Sequence, residues 1–534
     1  WSPNRRSKGE MTRAAVDKGS VKEMNDLSSR GWFRRLKSRF AAKSAVEGHL
    51  IFSELFVIKK LKTKKEQGKI IKKVKRRMLL NLKKSGVAAV SAKCERPELP
   101  RILDLVFSNL EIMRRRRHKK LRHVVLDFSN AFYNFPNLPA ERRFFVTKLK
   151  EYIYIWWRVT QGSRGAPLVN CRSLGLAMRL ALASVPEFAA TASTYVDDPI
   201  MTVSGDVDEQ NLNIGIIIGC LLAMGFDLAF SKAQDSVVDQ RVVWTSGVLE
   251  LLWEEEAIKI TVKEEILLEL STNIDKILAV SAVQVDDVRS LAGRATCVAS
   301  LIYVWRPFVS MLWSPIFDTR SRCPFSPTKI WTKAINVPLH WMKAFLSGYH
   351  GTLSRTYTLS SYLGEGDDIQ IVADASPTGL GAYLKVNGRV VEFAFGFITR
   401  SDEKILKVKR YGSEGQQVWE ALILLCSLRL WSDWWRAGRC SLRVRSDSVS
   451  ALILVVKMKT SGVGTSIIAR ELALDIGDAL YTPNVCEHIP GVTNVIADHL
   501  SRMAENDGVP MPALLRDATQ RQFPHRGPSW WRTL

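Results

Sequence analysis

The chain has no CxxC pair. Its 8 cysteines are scattered, which argues against a zinc ribbon or a disulfide framework and fits a reducing compartment. No apolar run reaches the length of a bilayer span. The longest, "IGIIIGCLLAMGF" (214–226), is too short and reads as a buried helix. No signal peptide is evident, so no membrane partner is expected, and the setting is intracellular, in cytoplasm, nucleus or both. No internal repeat is visible. Acidic residues are scarce at one end: residues 1–120 hold 34 Lys and Arg against 11 Asp and Glu, a balance of +23, whereas the other 414 residues hold 43 against 42. At 46% hydrophobic and 24% charged, the 534 residues exclude a disordered chain and allow two to four domains. The chain opens on Trp1, which points to a piece of a longer product.

What is present starts with that basic end. "KKLKTKKEQGKIIKKVKRR" interleaves apolar residues among its cations and reads as a phosphate-binding surface. "RRRRHKK" reads equally as such a surface, a solvated run or an import signal. Three Asp-Asp doublets follow. Asp286-Asp287 reads as an acidic helix start, and Asp367-Asp368 as a turn entering a strand. The third, in "STYVDDPIMTV" (193–203), has strand formers on both sides. Strand, tight turn, strand puts Asp197 and Asp198 at a hairpin tip. Charges placed there call for a strong partner, and a divalent metal is the usual one. Upstream, "RHVVLDFSNAFYNFP" is an apolar strand closing on Asp127. Between the two lies a Gly-rich loop, "VTQGSRGAP", with a helical run after it.

This order resembles the palm of reverse transcriptases, with Tyr195-Val196-Asp197-Asp198 in the place of their YxDD box. The resemblance implies that Asp127 and Asp197 hold two Mg²⁺ (or Mn²⁺) ions, with Asp198 helping less directly. Such ions, about 3.5–4 Å apart, clamp the attacking 3′-hydroxyl and the leaving pyrophosphate. It places Phe132 against the sugar 2′ position, although Phe132 reads equally as a core ring. Gln161 and its loop match the segment packed on the incoming nucleotide and template. "FVIKK" and "KRRMLLNLKKSGV" match the fingers and make Lys60 and Arg77 triphosphate ligands, Arg77 the better match. The insertion between them is long, and Asn81 stands where an Asp is common. Lys232 matches the lysine that protonates pyrophosphate, and "VVWTSGVLEL" (242–251) the primer-grip hairpin.

A second carboxylate set follows. Asp374 ends a strand in "IQIVADAS". Glu420 lies on a helix, with Glu414 the runner-up. Asp447 ends "SLRVRSD", and Asp498 opens a helix in "CEHIPGVTNVIADHLSRM". The pattern resembles the RNase H fold, whose Asp-Glu-Asp-Asp quartet binds two metal ions. His488 matches that family's mobile histidine.

Polymerase then RNase H, over roughly residues 50–505, resembles the polymerase protein of long-terminal-repeat or DIRS-like retrotransposons. No Asp-Thr/Ser-Gly protease motif, integrase motif or recombinase segment is evident. The expected fold is mixed α/β: a right-hand polymerase followed by an RNase H-like domain. The expected divisions are a basic extension (1–45), fingers and palm (46–261), helical thumb (262–315), connection (316–365), RNase H-like domain (366–503) and tail (504–534). The partners implied are an RNA template, a DNA primer, the RNA–DNA hybrid and dNTPs. A decayed or domesticated copy that binds nucleic acid without catalysis is the alternative; a nuclease alone leaves Asp127 and Asp197 unexplained.

Overall fold

The computed structural model describes residues 12–14, 16–66, 69–92, 95–324, 326–436, 440–460, 462–481, 485–503 and 510–533. The chain is mixed α/β and divides into two compact units between Thr245 and Ser246.

In the first unit the elements are α1 (Lys18–Ser29), β1 (Phe33–Leu36), β2 (Leu55–Glu66), β3 (Lys69–Leu80), α2 (Ile102–Arg115), β4 (Leu121–Val125), β5 (Val146–Leu149), β6 (Tyr152–Trp156), α3 (Ala166–Leu182), β7 (Ala190–Tyr195), β8 (Asp198–Ser204), α4 (Val207–Ala223), β9 (Gln234–Asp235) and β10 (Arg241–Trp244). An antiparallel sheet runs β9-β4-β8-β7. Its strand "DPIMTVS" is buried on both faces, because both are covered. On one face Val124, Met201 and Val203 pack against Leu174 of α3 and Ile217 and Leu221 of α4. On the other, Asn109 of α2 bonds buried His123 at 2.8 Å. Burial pushes the His123 imidazole down to about 4, so it is neutral here. β2 and β3 form a ribbon in register from Leu55 with Leu80 to Glu66 with Lys69. β1-β6-β5 form a third sheet.

Two expectations are corrected here. Residues 18–45 are not an extension outside the fold: Met24, Leu27 and Phe33 are buried with Val57, Met78, Tyr154 and Trp156. Lys and Arg dominate the composition there, but the apolar residues between them have helix and strand spacing and find a core. The 214–226 run is not a buried helix either. Ile217 and Leu221 point inward, while Leu222 and Met224 are exposed, because α4 covers only one face of a sheet.

The second unit begins with β11 (Gly247–Leu252), β12 (Ala257–Val262), α5 (Glu264–Leu278), α6 (Val285–Leu301), α7 (Arg306–Phe317), α8 (Asn336–Leu346) and β13 (Ser354–Thr358). β11, β12 and β13 pair antiparallel. There follow β14 (Asp367–Ala375), β15 (Gly379–Val386), β16 (Arg389–Phe397), α9 (Gln416–Leu430), β17 (Cys440–Ser446), α10 (Val449–Lys457), α11 (Val463–Gly477), β18 (Val485–His488), α12 (Val495–Met503) and β19 (Thr519–Arg521). These strands make one sheet in the order β18-β17-β14-β15-β16-β19. β14, β15 and β16 meander antiparallel, and β17 and β18 add parallel beside β14. α9 is buried continuously from Val418 to Leu428, which explains why "VWEALILLCSL" is apolar all round.

The segment expected as a tail is also corrected. β19 adds parallel to β16, and Arg526 makes a buried ion pair with Asp402 at 2.8 Å. Thr533 bonds buried Glu471 at 2.7 Å. Pro and Arg content reads as tail, but Arg521, Arg526 and Arg532 pair with Glu392, Asp402 and Asp475 in the fold.

Candidate active sites

The first acidic centre lies where β4 and β8 end side by side. Leu126 N–H donates to Pro199 O at 3.0 Å and Phe128 N–H to Asp197 O at 3.1 Å, so Asp127 is laced against Asp197 by the backbone. Ala229 N–H donates to Asp127 O at 2.8 Å. That bond brings in the turn ending at Lys232, whose ammonium is ion-paired with the Asp127 carboxylate.

Val196 and Asp197 form the two-residue tip between β7 and β8. Val196 has φ 61°, a conformation that costs a β-branched residue about 1–3 kcal/mol. Two side chains fix this turn. Asn170 of α3 donates to Val196 O at 2.8 Å, and Trp244 Nε1 donates to Asp198 O at 2.9 Å while its ring meets Tyr195 edge-on. Although Asp197 is exposed at the tip, desolvation by its neighbours, then the Asp127 charge, push its carboxyl above the usual range, and Arg77 and Lys232 oppose the shift. The centre is thus two carboxylates that repel each other, with two cations near.

Arg77 is exposed on β3, opposite Ile58. Lys60 lies on β2, and its side chain is outside the described residues. Gln161 is half-buried, in a loop whose Gly162 has φ 104° and would bring a Cβ to 3.2 Å from Leu80 O. That loop lies against the end of β3. Arg164 beside it donates to Ala88 O and Ser91 O. The Asn81 side chain is engaged locally, accepting from Lys84 N–H at 3.2 Å. Phe132 is half-buried between Ala131 and Tyr133, each of which joins a core cluster that Phe132 does not. The "RRRRHKK" run is largely engaged internally. Arg114 and Arg115 pair with Glu111, Arg116 with Glu209, and Lys119 with Asp206 and Glu209.

In the second unit Asp374, Glu420 and Asp447 offer oxygens that all lie within 4.8 Å of one another. Asp374 comes from β14, Glu420 from α9, and Asp447 follows β17, which runs parallel beside β14. Asp374 and Glu420 are only 5% and 6% exposed. Burial pushes the Asp374 carboxyl up to about 6; a Ser501 bond resists the shift, and the Asp447 and Asp498 charges add to it. Burial, then the Asp374 charge, push Glu420 up to about 8, against a Gln416 bond. Glu420 Oε2 is buried without a partner among the described residues. Converging hard oxygens, one of them orphaned, fit a divalent cation.

Neighbouring groups orient the trio. Ser501 Oγ donates to Asp374 Oδ2 at 2.9 Å, and Gln416 Nε2 to Glu420 Oε1 at 2.8 Å. Asp498 stands outside the trio, with its carboxylate bonded by Arg502 one helical turn on, at 2.7 Å. Glu414 is exposed on the turn before α9. His488 is exposed at the end of β18, in register with Ser446 beside Asp447. Ser501, Gln416, Asn170 and Trp244 were not singled out in the sequence. For Gln416 the spacing to Glu420 was the available signal; the others act across the fold and leave no local trace.

No protein-family model and no curated protein matches the chain. Among solved structures it is similar to three of the foamy viral protease-reverse transcriptase. With the dRH form bound to double-stranded DNA it shares 15% identity and a TM-score of 0.45, over 92% of this chain and 72% of that one. With another double-stranded DNA complex the values are 13% and 0.42, over 92% and 87%. With an RNA/DNA hybrid complex they are 14% and 0.43, over 96% of this chain and 57% of the other. No helix among the described residues is long and apolar enough to cross a membrane.

Proposed function

We propose that this chain is an RNA-directed DNA polymerase with an attached ribonuclease H, of the long-terminal-repeat or DIRS-like retrotransposon kind. The observation that carries the reading is Asp127 laced against Asp197 at a strained hairpin tip, with Arg77 and Lys232 near. The Asp374, Glu420 and Asp447 cluster, following in chain order, supports the second activity.

In this reading residues 46–261 are fingers and palm, 262–315 the thumb, 316–365 the connection and 366–503 the RNase H-like part. Asp127 and Asp197, with Asp198 beside them, would hold Mg²⁺ or Mn²⁺ at the first site; Asp374, Glu420 and Asp447 would do so at the second, with Asp498 joining them on release from Arg502. Ions bound there supply Lewis-acid stabilisation of attacking and leaving oxygens. The chain's own residues do the rest. Arg77, with Lys60, takes the triphosphate of an incoming dNTP, and Gln161 and its loop pack on that nucleotide. Phe132 sits against the sugar and excludes a 2′-hydroxyl. Lys232 gives a proton to the departing pyrophosphate. At the second site His488, exposed and in register with Ser446 beside Asp447, assists the departure of the cut RNA strand in this reading.

The test is primer extension on a labelled RNA template with Mg²⁺. Asp197→Asn is expected to abolish extension while template binding persists. Asp447→Asn is expected to extend normally but leave the RNA strand uncut. Full-rate extension by Asp197→Asn removes the polymerase assignment, and normal RNA cleavage by Asp447→Asn removes that of the second site.

A further inference from the structure

The cations of residues 34–43 have no carboxylate partner among the described residues, unlike those of residues 114–119. β1 and the short helix Arg39–Ser44 border a small core of Ala42, Val146, Ile153 and Ile155. Trp157 and Phe52 pack against that same core, which puts both rings on one side of the β1-β6-β5 sheet. Each ring carries a guanidinium. Arg34 and Arg142 lie over Trp157 at 5.6 and 5.0 Å, and Arg39 lies over Phe52 at 5.8 Å. Next to Arg39, Phe40 turns its ring to solvent and is 82% exposed, while Ala42 faces the core. Lys37 and Lys43 are exposed alongside.

We infer that this face is a binding platform for single-stranded nucleic acid, separate from the acidic centre of the same unit. Unneutralised Arg and Lys attract phosphates. A bare phenyl ring and guanidinium planes spread over aromatic rings offer flat π surfaces, which unpaired bases use for stacking. In a duplex those base faces are already occupied by their neighbours, so the platform favours a single strand over a duplex. The inference rests on this surface alone and does not require the enzymatic reading to hold.

Deleting residues 1–45 is a poor test, because Met24, Leu27 and Phe33 belong to the core. Point variants of the full chain are used instead, without Mg²⁺ or nucleotides, so that no chemistry is read. Fluorescence anisotropy follows labelled oligo(dT), oligo(U) and a blunt duplex of equal length over a salt series. Phe40→Ala is expected to weaken both single strands about tenfold, the loss of one stacked base, and to leave duplex affinity unchanged. Phe40→Trp is expected to retain single-strand affinity. Arg34→Gln with Arg39→Gln is expected to lower the single-strand salt slope by roughly 1.4, about 0.7 for each lost phosphate contact. Unchanged single-strand affinity in Phe40→Ala overturns the platform. So does an equal loss on duplex, which reduces the face to general positive charge. Primer extension by the unaltered chain tests the polymerase reading independently.

Discussion

Glu420 and Asp374 hold protons that ordinary carboxyls have lost, and this sets a pH dependence. Their carboxyls are raised to about 8 and about 6, from ordinary values of 4.5 and 3.8. Between those limits the folded chain binds more protons than the unfolded one, so stability falls as pH rises. It is complete below about pH 4 and lost as pH passes upward through 6 and 8. In EDTA the melting temperature of the full chain is therefore expected to drop from pH 5 to pH 8, by the equivalent of a few kcal/mol in order of magnitude. Mg²⁺ or Mn²⁺ is expected to restore most of it at pH 8, because a cation replaces the protons. Glu420→Gln removes the upper part of the slope; an unaltered slope in that variant shows that the proton resides elsewhere. Phe132 offers a second residue-scale test. Phe132→Ala is expected to admit ribonucleotides into the product while the melting temperature changes little, since the ring joins neither core cluster beside it. Unchanged discrimination between dNTPs and rNTPs returns Phe132 to a packing role.

Among the elements, α12 depends on two small residues of β15, Gly379 and Gly381. It crosses β15 so closely that a Cβ on Gly381 would lie 2.3 Å from Ser501 N and 2.7 Å from Ala497 O. Those are backbone atoms and cannot rotate away. Gly381→Ala is expected to push α12 outward, cost about 1–3 kcal/mol, and withdraw the Ser501 hydroxyl from Asp374. Gly396→Ala is the control, because its Cβ would meet only Phe523 at 3.6 Å. Urea unfolding and Mn²⁺ titration check both. Equal behaviour of the two variants refutes the close crossing. The hairpin carrying Asp197 works similarly: Asn170 and Trp244, from other elements, hold a Val196 conformation that its own sequence disfavours.

For the molecule as a whole, the described C-terminal residues are structural. Arg526 neutralises Asp402 inside the second unit, and Arg429 and Arg532 pair with Asp475, at 2.6 and 3.2 Å. Arg526→Ala leaves Asp402 buried and unpaired and is expected to cost about 3–5 kcal/mol. Removal of residues 504–534 is expected to do more, since it also bares the edge of β16 to pairing with other chains. Urea unfolding with light scattering measures both effects. A truncated chain as stable and monodisperse as the full one would show these bonds to be incidental.

Period and punctuation made several elements legible in advance. Strand formers flanking the Asp197 doublet foretold a hairpin, and β7 and β8 form it, with Val196 and Asp197 at its tip and Asp198 already paired with Tyr195 rather than at the tip as expected. The apolar stretch after Glu420 foretold a helix, and burial separated Glu420 from exposed Glu414. Composition was a poorer guide at both ends, where charge masked core residues such as Met24 and Trp531. Local sequence determines which residues favour strand, helix or turn, because propensity and alternation act over a few neighbours. It also determined that acidic residues would stand at element ends. Only the tertiary structure decided that Asp374, Glu420 and Asp447 converge, and that Asn170 steadies Val196. Those relations join residues far apart along the chain. They are set by sheet order, by close crossings such as α12 on β15, and by the cost of leaving a buried charge without a partner.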